Sequence, residues 1–220
     1  MLPELLSLKD LIFPPRCLTC QRPNTNFCSN CLSLWKSPVK QLAFDSLPFF
    51  TVVAYQPKAQ RCILAAKEDG NVVAQQALRM TLWAGVEGYI RAFPSAPELA
   101  LLPMPSRRSA IRRRGGDHLA TLCRELVRSS RGRAITRQVF SYQRGVKDQS
   151  LLTPDERFAN LHGAFFVSSQ EVPYLRHKNL LLVDDLVTSG STVREGIRAL
   201  SEWDLSVSGV ISACAAPIYF

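Results

Sequence analysis

Leu180-Leu-Leu-Val-Asp184-Asp185-Leu-Val-Thr188-Ser189-Gly190-Ser191-Thr192 takes four consecutive apolar residues straight into two acids. Leu186 and Val187 lead into a small turn rich in hydroxyls and glycine, and Val193, Ile197 and Leu200 then repeat at helical spacing. An unbroken apolar run of this length predicts a strand buried on both faces, the habit of a parallel sheet covered by helices. A strand, a tight polar loop and a helix start together form an anion site, because free backbone N–H groups and the helix dipole favour a phosphate. Acids at the strand end can bind ribose hydroxyls or help hold Mg²⁺ near that phosphate.

Three other uses of an apolar strand ending in two acids fail on the rest of the chain. A P-loop ATPase needs G-x4-G-K-[ST], and the sequence holds no such loop. A receiver domain carries its acid pair early, whereas only 35 residues follow Asp185 here. A dinucleotide site needs G-x-G-x-x-G, which is also absent. A phosphosugar site remains, with acids for the ribose and the loop for the 5′-phosphate.

Strands and helices alternate on either side of this stretch. Phe49–Tyr55 is aromatic and β-branched and reads as a strand. Pro57 suits the first turn of a helix through Lys67, which Gly70 ends, and Asn71 can cap a longer helix over Val72–Ala92. Gly85 and Gly88 weaken its last turns. Leu99–Leu102 is a second buried strand, ending at Pro103-Met-Pro105, and Asp117 caps a helix bearing Leu119, Leu122, Leu126 and Val127. Ala134–Tyr142 reads as a strand and Gln143–Leu152 as a loop; Thr153-Pro-Asp-Glu156 is a capping box, and Ser206–Ala213 is a last strand. The pattern predicts an α/β fold with a largely parallel sheet.

Two C-x2-C knuckles, Cys17/Cys20 and Cys28/Cys31, lie seven residues apart near the N-terminus. Four thiolates can close a tetrahedral shell around one structural Zn²⁺, which supplies folding energy that a short segment lacks. A thioredoxin-like redox pair would need a βαβ context that neither knuckle has. Ser37–Pro48 is mixed in character, so the chain divides into a zinc-knuckle module over 1–45 and the main domain over 46–220. Cys62, Cys123 and Cys214 sit singly among apolar residues, as buried thiols of a reducing, cytoplasmic setting would. The first residues, with Glu4, Lys9 and Asp10 among leucines, read as a short amphipathic helix rather than a signal peptide. No run of about 18 apolar residues exists, so no membrane span is expected.

Charge points to polyanionic partners. The formal net charge is +9, and from Arg107 to Lys147 twelve basic residues face two acidic ones. Arg107, Arg108, Arg112, Arg113 and Arg114 begin this run directly after a strand end, the place where open α/β sheets bind ligands.

The central thirteen residues resemble the phosphoribosyl pyrophosphate (PRPP) motif of type I phosphoribosyltransferases, with Ser189 where threonine is common. The cysteine knuckles, Pro103-Met-Pro105, Arg114-Gly115, Gln149-Ser-Leu-Leu and Arg157-Phe-Ala-Asn160-Leu-His-Gly-Ala-Phe165 resemble the ComF family, in order and over nearly the whole chain. Gly116-Asp117-His118 departs from that family's R-G-[FY]-N-Q. The resemblance implies a type I phosphoribosyltransferase-like domain behind zinc knuckles, associated with DNA uptake in natural transformation. Its partners would be incoming single-stranded DNA, a helicase and a recombination mediator. Asp184 and Asp185 would be the catalytic acids holding the ribose of PRPP with Mg²⁺. Thr188, Ser189, Gly190, Ser191 and Thr192 would hold the 5′-phosphate, and Ser106 and Arg107 would sit at the pyrophosphate loop, with Gln143–Leu152 as a mobile hood. Arg108, Arg112, Arg113 and Arg114 are the candidate nucleic-acid contacts. The alternative is a phosphoribosyltransferase of nucleotide metabolism acting on an unidentified acceptor.

Overall fold

The computed structural model describes residues 14–96, 98–143 and 153–220, without the side chains of residues 154, 155, 157 and 158. The expected N-terminal helix, the hood segment beyond Gln143 and the Arg157 side chain lie outside the described residues. In chain order the elements begin with α1 (Ser29–Trp35), β1 (Lys40–Phe44), β2 (Leu47–Thr51), β3 (Val53–Ala54), α2 (Pro57–Lys67) and α3 (Val72–Ala92). Then come β4 (Leu99–Pro103), α4 (Arg108–Arg114), α5 (His118–Ser129), β5 (Ala134–Thr136) and β6 (Phe140–Tyr142). The last are α6 (Pro154–Leu161), β7 (Phe165–Val167), α7 (Val172–Leu175), β8 (Asn179–Val187), α8 (Ser191–Ser201) and β9 (Val207–Ala215).

The two apolar runs that decide the fold are neighbours at the centre. The main sheet runs β1-β2-β9-β8-β4-β5, with β3 continuing along β9 beyond β2. All its pairings are parallel except the β1–β2 hairpin. Leu99–Pro103 and Leu180–Val183 are buried on both faces, as an unbroken apolar strand requires. The α/β class with a mostly parallel sheet flanked by helices is therefore present, together with an N-terminal four-cysteine cluster able to hold a metal ion.

The local signals act through identifiable contacts. Asn71 Oδ1 accepts from the Ala74 N–H, and Asp117 Oδ1 from the Ala120 N–H, so both caps form. Thr153 and Glu156 close their capping box reciprocally. Gly85, which lowers helix propensity, is needed for packing: a Cβ there would meet Ile211 Cγ2 of β9 at 2.7 Å. Helix α3 can thus lie close on the sheet.

Two expected strands are subdivided. Phe49–Tyr55 becomes β2 and β3, which keep one register on β9 through Phe50↔Ile211 and Val53↔Cys214. Ala134–Tyr142 splits between sheets: β5 ends the main sheet, while β6 pairs antiparallel with β7 as a separate ribbon. Arg137 N–H still bonds Leu101 O at 3.3 Å, and the chain then leaves the sheet edge.

Candidate functional site

Strand β8 delivers Asp184 and Asp185 to the carboxyl edge of the sheet, and the chain turns at Thr188-Ser189-Gly190 into α8. Gly190 adopts φ +73°, and a Cβ there would lie 2.4 Å from Phe44 Cε2, so both backbone and space demand glycine. The Ser189 and Ser191 hydroxyls bond each other at 2.9 Å. Arg194, one turn into α8, donates to Ser189 O at 2.8 Å and grips Asp45 with two nitrogens, at 3.1 and 2.9 Å. Its guanidinium also lies over the Phe44 ring, 4.9 Å from the centroid. The hairpin end at residues 44 and 45 thus buttresses the turn, a role that the mixed composition of 37–48 does not advertise.

One cavity of about 360 Å³ gathers most of the predicted ligand residues. Asp184, Asp185, Thr188 and Thr192 line it from β8 and the turn, and Ser106 and Arg107 from the loop after β4. Ser189, Gly190 and Ser191 form the turn itself but do not face this cavity. Tyr142 overhangs from the β6–β7 ribbon, its hydroxyl donating to Pro105 O at 3.4 Å. Burial raises the Tyr142 phenol, with the Arg107 guanidinium beside it working the other way.

The acid pair is electrostatically divided. Burial and the neighbouring Asp185 charge push the Asp184 carboxyl up to about 8. Burial also acts to raise Asp185, but Lys67 Nζ sits 3.0 Å from Asp185 Oδ2 and holds it below the usual carboxylate range. The Asp185 N–H donates to Asp184 Oδ1 at 2.8 Å, fixing that carboxyl against its own backbone. Lys67 is the last residue of α2, and in the sequence nothing marks this lysine apart from others.

The predicted nucleic-acid arginines part company on the short helix α4. Arg108, Arg112 and Arg113 are exposed. Arg113 Nη2 reaches Glu68 Oε2 at 2.6 Å, and Arg114 turns inward, with 9% of its side chain exposed. Asp117, beyond its capping role, accepts from Ser106 Oγ at 3.2 Å and so ties the loop after β4 to α5. His118 lines the cavity beside Lys67 and Arg114.

Sequence reading also missed Glu195. It is 3% exposed on α8, and its carboxylate accepts from Gly163 N–H at 3.1 Å and Phe165 N–H at 2.8 Å, as well as from Arg198. This single acid anchors the ribbon that carries Tyr142 to the helix that follows the Gly190 turn. A glutamate between Arg194 and Arg198 at helical spacing reads from sequence as surface pairing, which hides its burial.

At the N-terminus the thiol sulfurs of Cys17, Cys20, Cys28 and Cys31 all lie within 4.8 Å of one another, and none forms a disulfide. Cys20 Sγ and Cys28 Sγ are 3.6 Å apart. Metal–sulfur bonds of about 2.3 Å in a tetrahedron separate sulfurs by roughly 3.8 Å, so the donor set fits a closed four-sulfur site. The cluster also touches the main domain: Arg61 Nη1 of α2 donates to Thr19 O at 3.0 Å. Among the described residues no helix is long and apolar enough to cross a membrane. No protein-family model matches the chain, and no curated protein matches it.

Proposed function

We propose that this is a ComF-like protein whose cleft binds PRPP with Mg²⁺, and that it handles single-stranded DNA during uptake in natural transformation. The observation that carries the reading is the convergence, on one cavity, of two strand-end acids, the threonines on either side of a left-handed glycine turn, and the Ser106-Arg107 loop. Asp184 and Asp185 take the ribose hydroxyls. Thr188 and Thr192, the residues of the turn that face the cavity, take the 5′-phosphate at the start of α8. Arg107 faces the diphosphate. Mg²⁺, bound with the sugar diphosphate, would neutralise its charge, and the acid pair is the donor set suited to it. Tyr142 and the ribbon shield the sugar from water. The N-terminal cysteines hold Zn²⁺ as a structural ion.

Isothermal titration with PRPP and Mg²⁺ tests the donor site. Wild type is expected to bind, and Asp184→Asn/Asp185→Asn to lose at least about tenfold in affinity, the worth of a charge-assisted contact. Equal heats in both proteins refute the assignment. Elemental analysis is expected to find one zinc per chain.

The DNA reading rests on the exposed Arg108, Arg112 and Arg113 beside the cleft, since only Arg114 is turned inward. Anisotropy with an oligonucleotide is expected to fall with salt, with a log–log slope of about −2 for three neutralised phosphates. Binding insensitive to salt overturns it. A transferase reaction is the second reading, favoured by the enclosure that Tyr142 gives the cavity. Pyrophosphate release from PRPP in the presence of nucleobases and amines tests that version.

A further inference from the structure

A second cavity, of about 620 Å³, opens at the far end of α5 from the cleft. One wall is a single face of α3, where Trp83, Glu87, Ile90 and Arg91 recur at helical spacing. The other is the turn from α5 into β5, at the amino edge of a sheet whose carboxyl edge carries Asp184 and Asp185. Arg91, Arg131 and Arg133 stand exposed around a floor of half-buried Trp83 and Ile90, and Glu87 is the only carboxylate lining the cavity. Among the described residues no acceptor or carboxylate partners any of the three guanidinium groups. The turn that presents two of them is an unusual one. Arg131 (φ +53°) and Gly132 (φ +82°) are both left-handed, and Arg133 N–H bonds Ser130 O at 3.2 Å. Such a turn favours asparagine or glycine at both central positions, and arginine is rare there. Ser130 holds it in place, donating to Val127 O at 2.7 Å and accepting from Ala134 N–H at 3.3 Å. Helix dipoles favour a cation at the end of α3 or α5. They do not call for arginine at the strained position, nor for a third arginine at the start of β5. An outlier of this kind points to use at a site.

We propose that this pocket binds a nucleotide unit, with the base against Trp83 and Ile90 and the phosphate among Arg91, Arg131 and Arg133. Its volume lies within the range of about 300–1,000 Å³ that small-molecule sites occupy. An indole face takes a flat heterocycle of any sequence, and guanidinium forks take phosphate oxygens two at a time. Both halves of the ligand are required. Inorganic phosphate would leave the indole unused, and an uncharged aromatic would leave three cations without a counter-charge. Glu87 offers an acceptor to an exocyclic amine of the base. The unit comes either as a free mononucleotide or within a single strand, since the two present the same base and phosphate. The pocket does not depend on the phosphosugar reading of the cleft. His118 at the start of α5 lines the cleft and Ser129 at its end lines this pocket, so the helix of 12 residues holds the two about 18 Å apart.

The chain has three tryptophans, so the indole N–H signal that disappears in Trp83→Phe reports on this pocket in NMR spectra of the whole protein. Adenosine monophosphate and, separately, a short oligothymidylate are the probes. Each is expected to move that signal, and inorganic phosphate to bind at least about tenfold more weakly than adenosine monophosphate. Trp83→Leu is expected to weaken the nucleotide about five- to a hundredfold, the worth of one base–aromatic stack. Arg131→Asn is the variant that misfolding cannot imitate. Asparagine suits the left-handed turn better, so the melting temperature should hold or rise while affinity falls about tenfold. Comparable affinity for the two probes identifies a free nucleotide as the ligand, and a strand bound at least about a hundredfold tighter identifies the strand; both uphold the pocket. A Trp83 signal that neither probe moves overturns it. So does Arg131→Asn binding as tightly as wild type, or inorganic phosphate binding as tightly as the nucleotide. Asp184→Asn/Asp185→Asn should leave the Trp83 shift unchanged, and its loss there would put the probe in the cleft and overturn the pocket. If that variant binds PRPP normally while the Trp83 shift persists, the pocket stands and the ribose assignment falls.

Discussion

Replacing Asp184 with asparagine should make the protein more stable at neutral pH while removing its ligand affinity. An unfolded aspartate titrates near 4, whereas burial and the adjacent Asp185 charge put the folded carboxyl at about 8. Folding at pH 7 therefore takes up a proton across roughly three pH units, at about 1.4 kcal/mol each, or about 4 kcal/mol without screening. Asp184 is only half-buried and opens onto the cavity, so solvent screening reduces this to about 2 kcal/mol. The sign follows from the raised folded value. The stability lost through this group is nil below pH 4, grows as pH rises, and levels off above about 8. Asparagine carries no titrating proton and keeps an oxygen for the Asp185 N–H, so its curve lacks that decline. Urea unfolding from pH 5 to 9 should show the variant gaining on wild type up to pH 8, after which the two run parallel. Parallel curves over the whole range would mean that Asp184 is ionised in the folded protein, and would refute the division of the acid pair. The same variant should lose at least about tenfold in PRPP affinity, and a stabilised but inactive protein is the signature of a residue retained for binding.

Other consequences are testable in the same preparations. Gly190→Ala combines a left-handed backbone with a Cβ placed 2.4 Å from the Phe44 ring, and is expected to cost about 2–4 kcal/mol in urea unfolding. Glu195→Ala leaves the Gly163 and Phe165 N–H groups and Arg198 short of a partner; about 2–4 kcal/mol should be lost, with the Phe165 amide exchanging sooner than the β8 amides. Burial acts to raise Glu195, but Arg198 and the two N–H groups hold it below the ordinary range, so its contribution should disappear only as pH falls through that lowered value. Stripping metal from the four cysteines should lower the melting temperature by several degrees, at about 2–4 °C per kcal/mol for a chain of this size. Because Arg61 ties Thr19 to α2, chelation should also weaken PRPP binding, and unchanged calorimetric affinity in the stripped protein would break that link.

The sequence was legible where one residue's chemistry acts on its own neighbourhood. Asn71, Asp117 and Thr153 cap as composition predicts because a cap needs only the next turn of backbone. Leu180–Val183 reads as a central strand because burial on both faces leaves no alternating pattern. Contacts between distant segments stayed hidden. Lys67 and Asp185 are 118 positions apart, and Arg194 and Asp45 149 apart, and no local periodicity connects either pair. The arginine run shows the same limit: a uniform stretch of charge divides into exposed Arg112, paired Arg113 and inward Arg114 only once α4 packs beside the end of α2.

Helix α2 explains how one cleft can hold two adjacent carboxyls. Two ionised acids side by side would repel strongly in a partly buried site, and the fold answers by protonating one and giving the other an ammonium. That ammonium is placed by a helix of eleven residues, held near its middle by the Arg61–Thr19 bond to the cysteine module and at its end by Asp185 itself. The lysine that offsets Asp185 lies outside the thirteen-residue motif, on a helix that also bonds the N-terminal cysteine segment.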